Sequence, residues 1–235
     1  MAEPSVNTLA IDIGGSGLKA GVLDASGAPI GERVRIDTPR GSPPETIVLL
    51  LANLVRDLPP SGRVSIGFPG VVRGGVVRTA PNLGHPDWSG FDLGAAMNAA
   101  LSKPVRIAND ADVQGLGVIR GVGVEMIITL GTGFGTGLYE DGRLCPHLEI
   151  SHQPFRKGET YDEQLGDAAR RKIGNGKWQK RVSRAIGNMR ELVHFDHLFI
   201  GGGNARKLDL KLPPDVTIVD NRAGIIGGPY LWQQR

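Results

Sequence analysis

The 235-residue chain is long enough to bury a substantial core or to divide into two small lobes. Its 40% hydrophobic and 22% charged residues are ordinary for a globular protein, and a net charge of +3 is too mild to mark a nucleic-acid binder. No apolar run approaches membrane-spanning length and the N-terminus has no signal-like character; the single cysteine, Cys145, excludes an internal disulfide and a multi-cysteine zinc site, so the expectation is a cytoplasmic protein without membrane or nucleic-acid partners.

In chain order, residues 6–13, 18–24 and 30–37 read as three short strands in a meander. A Pro/Gly-rich loop over 38–44 leads into a helix over 45–58, with Ile47, Leu50, Leu51, Leu54 and Val55 at helical spacing; Pro59-Pro60 ends it. A buried strand is expected over 64–68, a β-ribbon over 71–79, a helix over 91–101 and a strand over 105–108. The order then repeats in outline: a helix over 112–120, a hairpin of 124–130 and 135–140 with 143–145 as its third strand, and helices over 161–173 and 178–194. Strands over 198–201 and 216–219 and a final helix over 223–232 complete the chain. Two related α/β lobes are implied, residues 1–106 and 107–222, with 223–235 packing back on the first.

Glycine turns stand where strands end. Asp12 precedes Gly14-Gly15-Ser16-Gly17 and Lys19; Thr129-Leu130 runs into Gly131-Thr132-Gly133-Phe134-Gly135; Leu198-Phe199-Ile200 meets Gly201-Gly202-Gly203-Asn204. Any one of them is readable as an ordinary tight turn. A bend of small residues also exposes successive backbone N–H groups as an anion site, and a carboxylate beside it can hold a cation near the same phosphate. No Walker loop is present, since the Gly176-Lys177 pair is followed by Trp178.

Asn109-Asp110-Ala111-Asp112 stands where a strand passes into a helix. Asn and Asp are favoured helix caps, but one cap suffices, and an aspartate at a strand's carboxyl end is also placed to accept a proton from a hydroxyl. Glu149-Ile150-Ser151-His152 is either surface or a clamp for hydroxyls, because a carboxylate accepts two O–H bonds while an imidazole donates and accepts.

As an ordered set these segments resemble the phosphate-1, phosphate-2 and adenosine segments of actin-like ATPase sugar kinases. More narrowly, the chain is similar to the ROK family of sugar kinases and repressors, in its polyphosphate glucokinase-like branch. The resemblance implies a two-lobed α/β fold of the actin-like ATPase (ribonuclease H-like) type, an interlobe cleft, and transfer of phosphate from ATP or polyphosphate to the 6-hydroxyl of glucose or a related hexose. It makes Asp110 the catalytic base and Asn109, Glu149 and His152 sugar ligands, with Gly70 and Asn82 at the outer edge of the sugar pocket. Glu163 in Tyr161-Asp162-Glu163-Gln164 is the best match to a further sugar-binding glutamate, with Asp162 its rival. Gly14, Gly15, Ser16, Lys19, Gly131, Thr132, Gly133, Gly201, Gly202, Gly203 and Asn204 would hold the donor, and Asp12 would hold Mg²⁺ through water. Two departures are visible: Ser151 replaces the family's usual glycine, and the cysteine-rich zinc loop of many members is absent.

Alternatives from other classes are a catalytically silent sugar- or nucleotide-binding protein and a sugar-responsive repressor. The repressor needs a helix-turn-helix module, for which the sequence before the first strand leaves no room. A homodimer is expected from the prevalence of two-fold oligomers. Residues 168–184 hold seven basic and no acidic residues. Lys177, Lys180, Arg181 and Arg184 share one helical face; it reads either as a solvated surface or as a track for a long polyanion.

Overall fold

A computed structural model describes residues 6–220 and 223–234. The chain divides into two compact units, one of residues through Gly117 together with those from Gly224 onward, the other Val118–Ala223.

In the first unit, β1 (Thr8–Ile13), β2 (Leu18–Leu23) and β3 (Pro29–Ile36) form the expected antiparallel meander. Helix α1 (Pro44–Leu54) then leads to β4 (Arg63–Phe68), which joins β1 in parallel. A short ribbon of β5 (Val72–Arg73) and β6 (Val76–Val77) and helix α2 (Leu93–Leu101) precede β7 (Val105–Asn109), which pairs in parallel with β4. The resulting sheet order is β3-β2-β1-β4-β7. Central β1 is buried along almost its whole length, whereas edge strand β3 is mostly exposed, as an edge carrying Glu32, Arg33 and Arg35 should be. Ile47 and Leu51 of α1 and Leu93 and Met97 of α2 enter the core of this sheet. The Asp92 carboxylate caps α2 by accepting from Ala95 N–H at 2.8 Å.

Helix α3 spans Asp110–Leu116, starting directly at the end of β7 and before the expected residue 112. Because β7 pairs with β4, this helix belongs to the first unit, and the division falls at Gly117 where the sequence placed it at 106/107.

The C-terminal stretch also lies in the first unit. The expected helix over 223–232 is a short α7 (Ala223–Ile226) followed, after Gly227-Gly228, by a 3₁₀ turn over Pro229–Gln233. Ser65 Oγ donates to the Gly228 carbonyl at 2.6 Å and accepts from Trp232 Nε1 at 2.9 Å. The Arg106 guanidinium lies 4.8 Å from the centre of the Trp232 ring and also donates to the Leu231 and Gln234 carbonyls.

The second unit repeats the plan. β8 (Val124–Leu130), β9 (Phe134–Glu140) and β10 (Arg143–Leu144) form an antiparallel meander. After the hairpin of β11 (Pro154–Arg156) and β12 (Glu159–Thr160), which the sequence pattern does not announce, come α4 (Tyr161–Leu165), α5 (Asp167–Ile173) and α6 (Asn175–Val193). Parallel strands β13 (His197–Gly201) and β14 (Val216–Ile218) complete the order β10-β9-β8-β13-β14, strand for strand the arrangement of the first sheet. The expected helix over 161–173 is broken at Gly166, whose N–H and that of Asp167 bond to Asp162 and Gly131 carbonyls at 2.9 and 3.0 Å.

Helix α6 buries Trp178, Val182, Ala185, Ile186 and Met189 among Met126, Ile128, Leu130, Leu198 and Ile200. Trp178 is fully buried and its Nε1 donates to the Leu165 carbonyl at 2.7 Å. Trp178→Ala is therefore expected to cost about 3–5 kcal/mol, read as a lowered urea midpoint of the transition that reports on the second unit. A shift under about 1 kcal/mol would contradict the packing role assigned to this ring.

Candidate active site

In the first unit, parallel register brings the polar candidates to one end of the sheet. Asp12 on β1 pairs with Gly67 on β4, and Phe68 pairs with Asn109 on β7. A Cβ on Gly67 would stand 3.4 Å from Asp110 Cα, so Asp12 and Asp110 flank the same glycine. Lys19, opposite Asp12 on β2, donates from Nζ to Asp12 Oδ2 at 2.8 Å. The turn between them closes with Gly14 N–H on the Gly17 carbonyl at 3.0 Å and leaves Ser16 exposed at its tip. Asn82 packs on this turn, its carbonyl oxygen 3.0 Å from where a Gly15 Cβ would lie, so residue 15 has to be small.

The three polar residues Asn109, Asp110 and Asp112 where β7 passes into α3 have separate fates. Asn109 is the helix cap: its Oδ1 accepts from Ala111 N–H at 2.8 Å, and its Nδ2 donates to the Gly70 carbonyl at 3.2 Å. Asp112 is buried. Asp110 stays partly exposed, its Oδ1 accepting from Ala111 N–H at 2.8 Å.

In the second unit the Gly131–Gly133 turn follows β8 and is held from several sides. Gly131 N–H donates to the Gly133 carbonyl at 3.1 Å, and Asn204 Nδ2 donates to the Gly131 carbonyl at 3.1 Å. Asn204 N–H also bonds the Leu130 carbonyl at 2.9 Å, so the Gly201-Gly202-Gly203-Asn204 segment and the Gly131 turn are tied together. Gly202 has φ of +86°, and a Cβ there would collide with Leu130 backbone; only glycine fits. Thr132 and Gly203 are exposed at the two tips.

Glu149, His152 and Asp162 share one electrostatic neighbourhood. Asp162 N–H donates to the Ser151 carbonyl at 3.0 Å, and Asp162 Oδ1 accepts from Phe134 N–H at 2.6 Å. Burial holds the Asp162 carboxyl above the ordinary carboxylate range, in spite of the Phe134 N–H and the nearby His152. Glu149 goes the other way. Burial works against its charge, yet the His147 imidazole and the Ser151 hydroxyl leave it below the ordinary value. Ser151 Oγ donates to Glu149 Oε1, and His147 Nε2 lies 3.7 Å from Glu149 Oε2.

Glu163 caps the helix it belongs to. Its carboxylate accepts from Thr160 N–H at 2.8 Å while Thr160 Oγ1 accepts from Glu163 N–H, a capping box at the start of α4. Glu163 is exposed, and the carboxylate beside Glu149 and His152 is Asp162. Helix geometry separates the two carboxylates: a residue at the third position of α4 turns back to its own cap, leaving its neighbour to face the turn at Ser151.

Three residues near these turns carry no sequence signal. Thr38, buried, donates from Oγ1 to the Gly14 carbonyl at 2.6 Å. Arg35, in register with Lys19, packs its guanidinium against Gly17. His147 reaches Glu149 as a second neighbour along an irregular segment, a spacing too common to single out. Glu149 and His147 also line a cavity of about 640 Å³ with Val124, Leu138, Tyr139 and Leu192. Its walls are mainly apolar and include neither His152 nor Asp162, so of Glu149, His152 and Asp162 it is Glu149 alone that borders it.

Two sheets of identical order, each with a glycine turn after its first strand, define the duplicated α/β fold of actin-like ATPase sugar kinases, and the chain belongs to the ROK family. The ROK family model matches residues 8–147. Polyphosphate glucokinase of Mycobacterium tuberculosis (strain CDC 1551 / Oshkosh) is 33% identical over 234 residues, covering 92% of this chain and 88% of that one. The crystal structure of inorganic polyphosphate/ATP-glucomannokinase from Arthrobacter sp. strain KM superposes with a TM-score of 0.87 at 30% identity, over 98% of this chain and 100% of that one. A ROK family glucokinase from Streptomyces griseus, in complex with glucose and AMPPNP, shares the fold with a TM-score of 0.77 at 19% identity, over 96% of this chain and 98% of that one.

The lowered Glu149 pKa makes a statement about stability. Its contacts stabilise the fold fully above the ordinary glutamate pKa, and that contribution is lost as pH falls through the lower folded value. Asp162, raised, has the opposite slope: it weakens the fold as pH rises from the ordinary range through its own folded value. In Glu149→Gln the urea midpoint should fall less steeply than wild type between about pH 5 and pH 3. An unchanged slope would show that Glu149 titrates alike in both states.

Proposed function

We propose that this chain is a hexose kinase, transferring a phosphoryl group from polyphosphate or ATP to the 6-hydroxyl of glucose or a close relative. The naming of the M. tuberculosis relative as a polyphosphate glucokinase and of the Arthrobacter protein as a polyphosphate/ATP-glucomannokinase supports this, since both match nearly the whole chain. One structural observation supports it most strongly. Of the polar residues after β7, Asn109 caps and Asp112 is buried, which leaves Asp110 as the partly exposed carboxylate, beside the glycine that also faces Asp12.

Asp110 accepts the hydroxyl proton as the sugar oxygen attacks the terminal phosphorus; the bond to the departing ADP or shortened polyphosphate breaks as the new P–O bond forms. Glu149 and His152 bind sugar hydroxyls with Asp162 in the place first given to Glu163, and Asn109, Gly70 and Asn82 border the acceptor. Backbone N–H groups of Gly15, Ser16, Thr132 and Gly133, in turns closed by the Gly14 and Gly131 N–H bonds, hold donor phosphates with the Lys19 ammonium, and Gly201–Asn204 take the adenosine when ATP is used.

Asp12 presents a single carboxylate at the phosphate-1 turn, and among the described residues no group of three or more His, Cys, Asp or Glu is placed to hold a metal. That donor set suits Mg²⁺ carried mainly by substrate phosphates, and the ion supplies charge neutralisation there. Among the described residues no helix is long and apolar enough to cross a membrane. A homodimer acting in the cytoplasm completes the reading.

Asp110→Asn should lower kcat by on the order of a hundredfold or more while glucose KM changes little, because the amide keeps the geometry and cannot take the proton. Turnover within a few-fold of wild type would remove Asp110 from the chemistry. Asp162→Asn should weaken glucose binding in calorimetry by about tenfold. Glu163→Ala should leave glucose affinity in place and lower the urea midpoint slightly through the lost capping box. The reverse pattern would restore Glu163 to the sugar clamp.

A further inference from the structure

The basic face of α6 does not stand alone in solvent. Lys177, Lys180, Arg181 and Arg184 line a cavity of about 350 Å³ together with Arg156, which arrives from β11. Five cations and no carboxylate make up its lining. Two of them are held in place: Arg181 Nη1 donates to the Gln164 carbonyl at 3.2 Å, and the Arg184 guanidinium sits 5.4 Å from the centre of the Phe155 ring. Burial, and after it the Arg156 charge, pushes Arg181 below the ordinary arginine value, with Glu159 the acidic neighbour opposing them. The preceding cations differ, since Arg170 and Arg171 are both paired to Asp167 at 2.8 and 2.6 Å.

A solvated helix face does not need a second element to converge on it, nor positioned guanidinium groups. Like charges gathered in a concavity whose lining holds no carboxylate are suited to an anion that several of them share. From Lys177 to Arg184 the helix rises about 10 Å, long enough for several linked phosphates. The cavity is also joined to the phosphate-2 turn within the same unit. Gln164 and Leu165 take bonds from Arg181 and Trp178 of α6, and the next two residues, Gly166 and Asp167, close onto Asp162 and Gly131.

We propose that the cavity formed by Arg156, Lys177, Lys180, Arg181 and Arg184 is a subsite for a linear inorganic polyphosphate, holding phosphates remote from the one transferred. This rests on the donor assignment above and adds to it a place for the rest of the chain. ATP carries no such continuation, so the subsite acts on long donors alone. No exposed aromatic ring lines the cavity, which disfavours single-stranded nucleic acid, whose bases need stacking platforms.

The test uses the full chain carrying Lys177→Glu and Lys180→Glu, both at exposed positions where reversal spares the core. Glucose phosphorylation is measured with ATP, tripolyphosphate and long-chain polyphosphate, and binding of labelled long-chain polyphosphate by fluorescence anisotropy. The expected result is a KM for the long chain raised at least about tenfold relative to the ATP reaction of the same preparation. Tripolyphosphate should follow ATP, and the long-chain KM should become less sensitive to salt. Equal shifts for tripolyphosphate and the long chain, or no shift for either, would overturn the subsite. Should the wild type use ATP alone, the donor assignment fails separately and binding decides. Long-chain binding lost in the variant keeps the subsite, while no wild-type binding, or equal binding of a single-stranded RNA, refutes it.

Discussion

Parallel pairing of β1 with β4 and of β4 with β7 is the constraint on which the first unit depends. Parallel strands point their carboxyl ends the same way, so whatever follows each strand gathers at one end of the sheet. Asp12 stands near the carboxyl end of β1 with its glycine turn just beyond, Gly70 follows β4, and Asp110 follows β7. Residues separated by about a hundred positions become neighbours through backbone pairing alone. The second unit repeats the device with β8 and β13, whose ends carry Gly131 and Gly201. Asn204 then bonds across to Gly131 because the two turns share that end.

Within this frame Asp162 joins two functions that are far apart in sequence. Its N–H holds the turn containing Ser151 and its carboxylate receives the Phe134 N–H just beyond the phosphate-2 turn. On the proposed reading, one side chain touches both the acceptor clamp and the donor loop. Burial keeps its charge costly, the price of placing a carboxylate against backbone rather than water. Glu149 is stabilised instead by neighbours this chain supplies for itself, Ser151 and His147. The Ser151 hydroxyl fixes one of the Glu149 carboxylate oxygens.

The C-terminal stretch is held on the sheet of the first unit through Ser65, Arg106 and Trp232. Ser65 is buried in a strand, so its hydroxyl requires partners, and it finds a donor in Trp232 and an acceptor in the Gly228 carbonyl. A polar residue on a core strand thereby selects which segment covers it.

Much of this protein was legible in the sequence. Apolar runs, glycine turns and helical spacing marked the two meanders and most helices, because each is a local pattern that the backbone obeys over a few residues. The ordered turns around Asp12, Gly131 and Gly201 identified the family for the same reason. Tertiary structure decided the rest. The break at Gly166 follows from the Gly131 backbone approaching the α4–α5 corner, and a capping box holds the Glu163 carboxylate at its own helix start while Asp162 reaches the Phe134 N–H. Thr38, Arg35, His147 and Arg156 gained their neighbours from strand register and loop closure, and α3 joined the first unit because β7 pairs with β4. Such contacts link distant positions, and no pattern confined to neighbouring residues encodes which distant backbone will come to lie beside them.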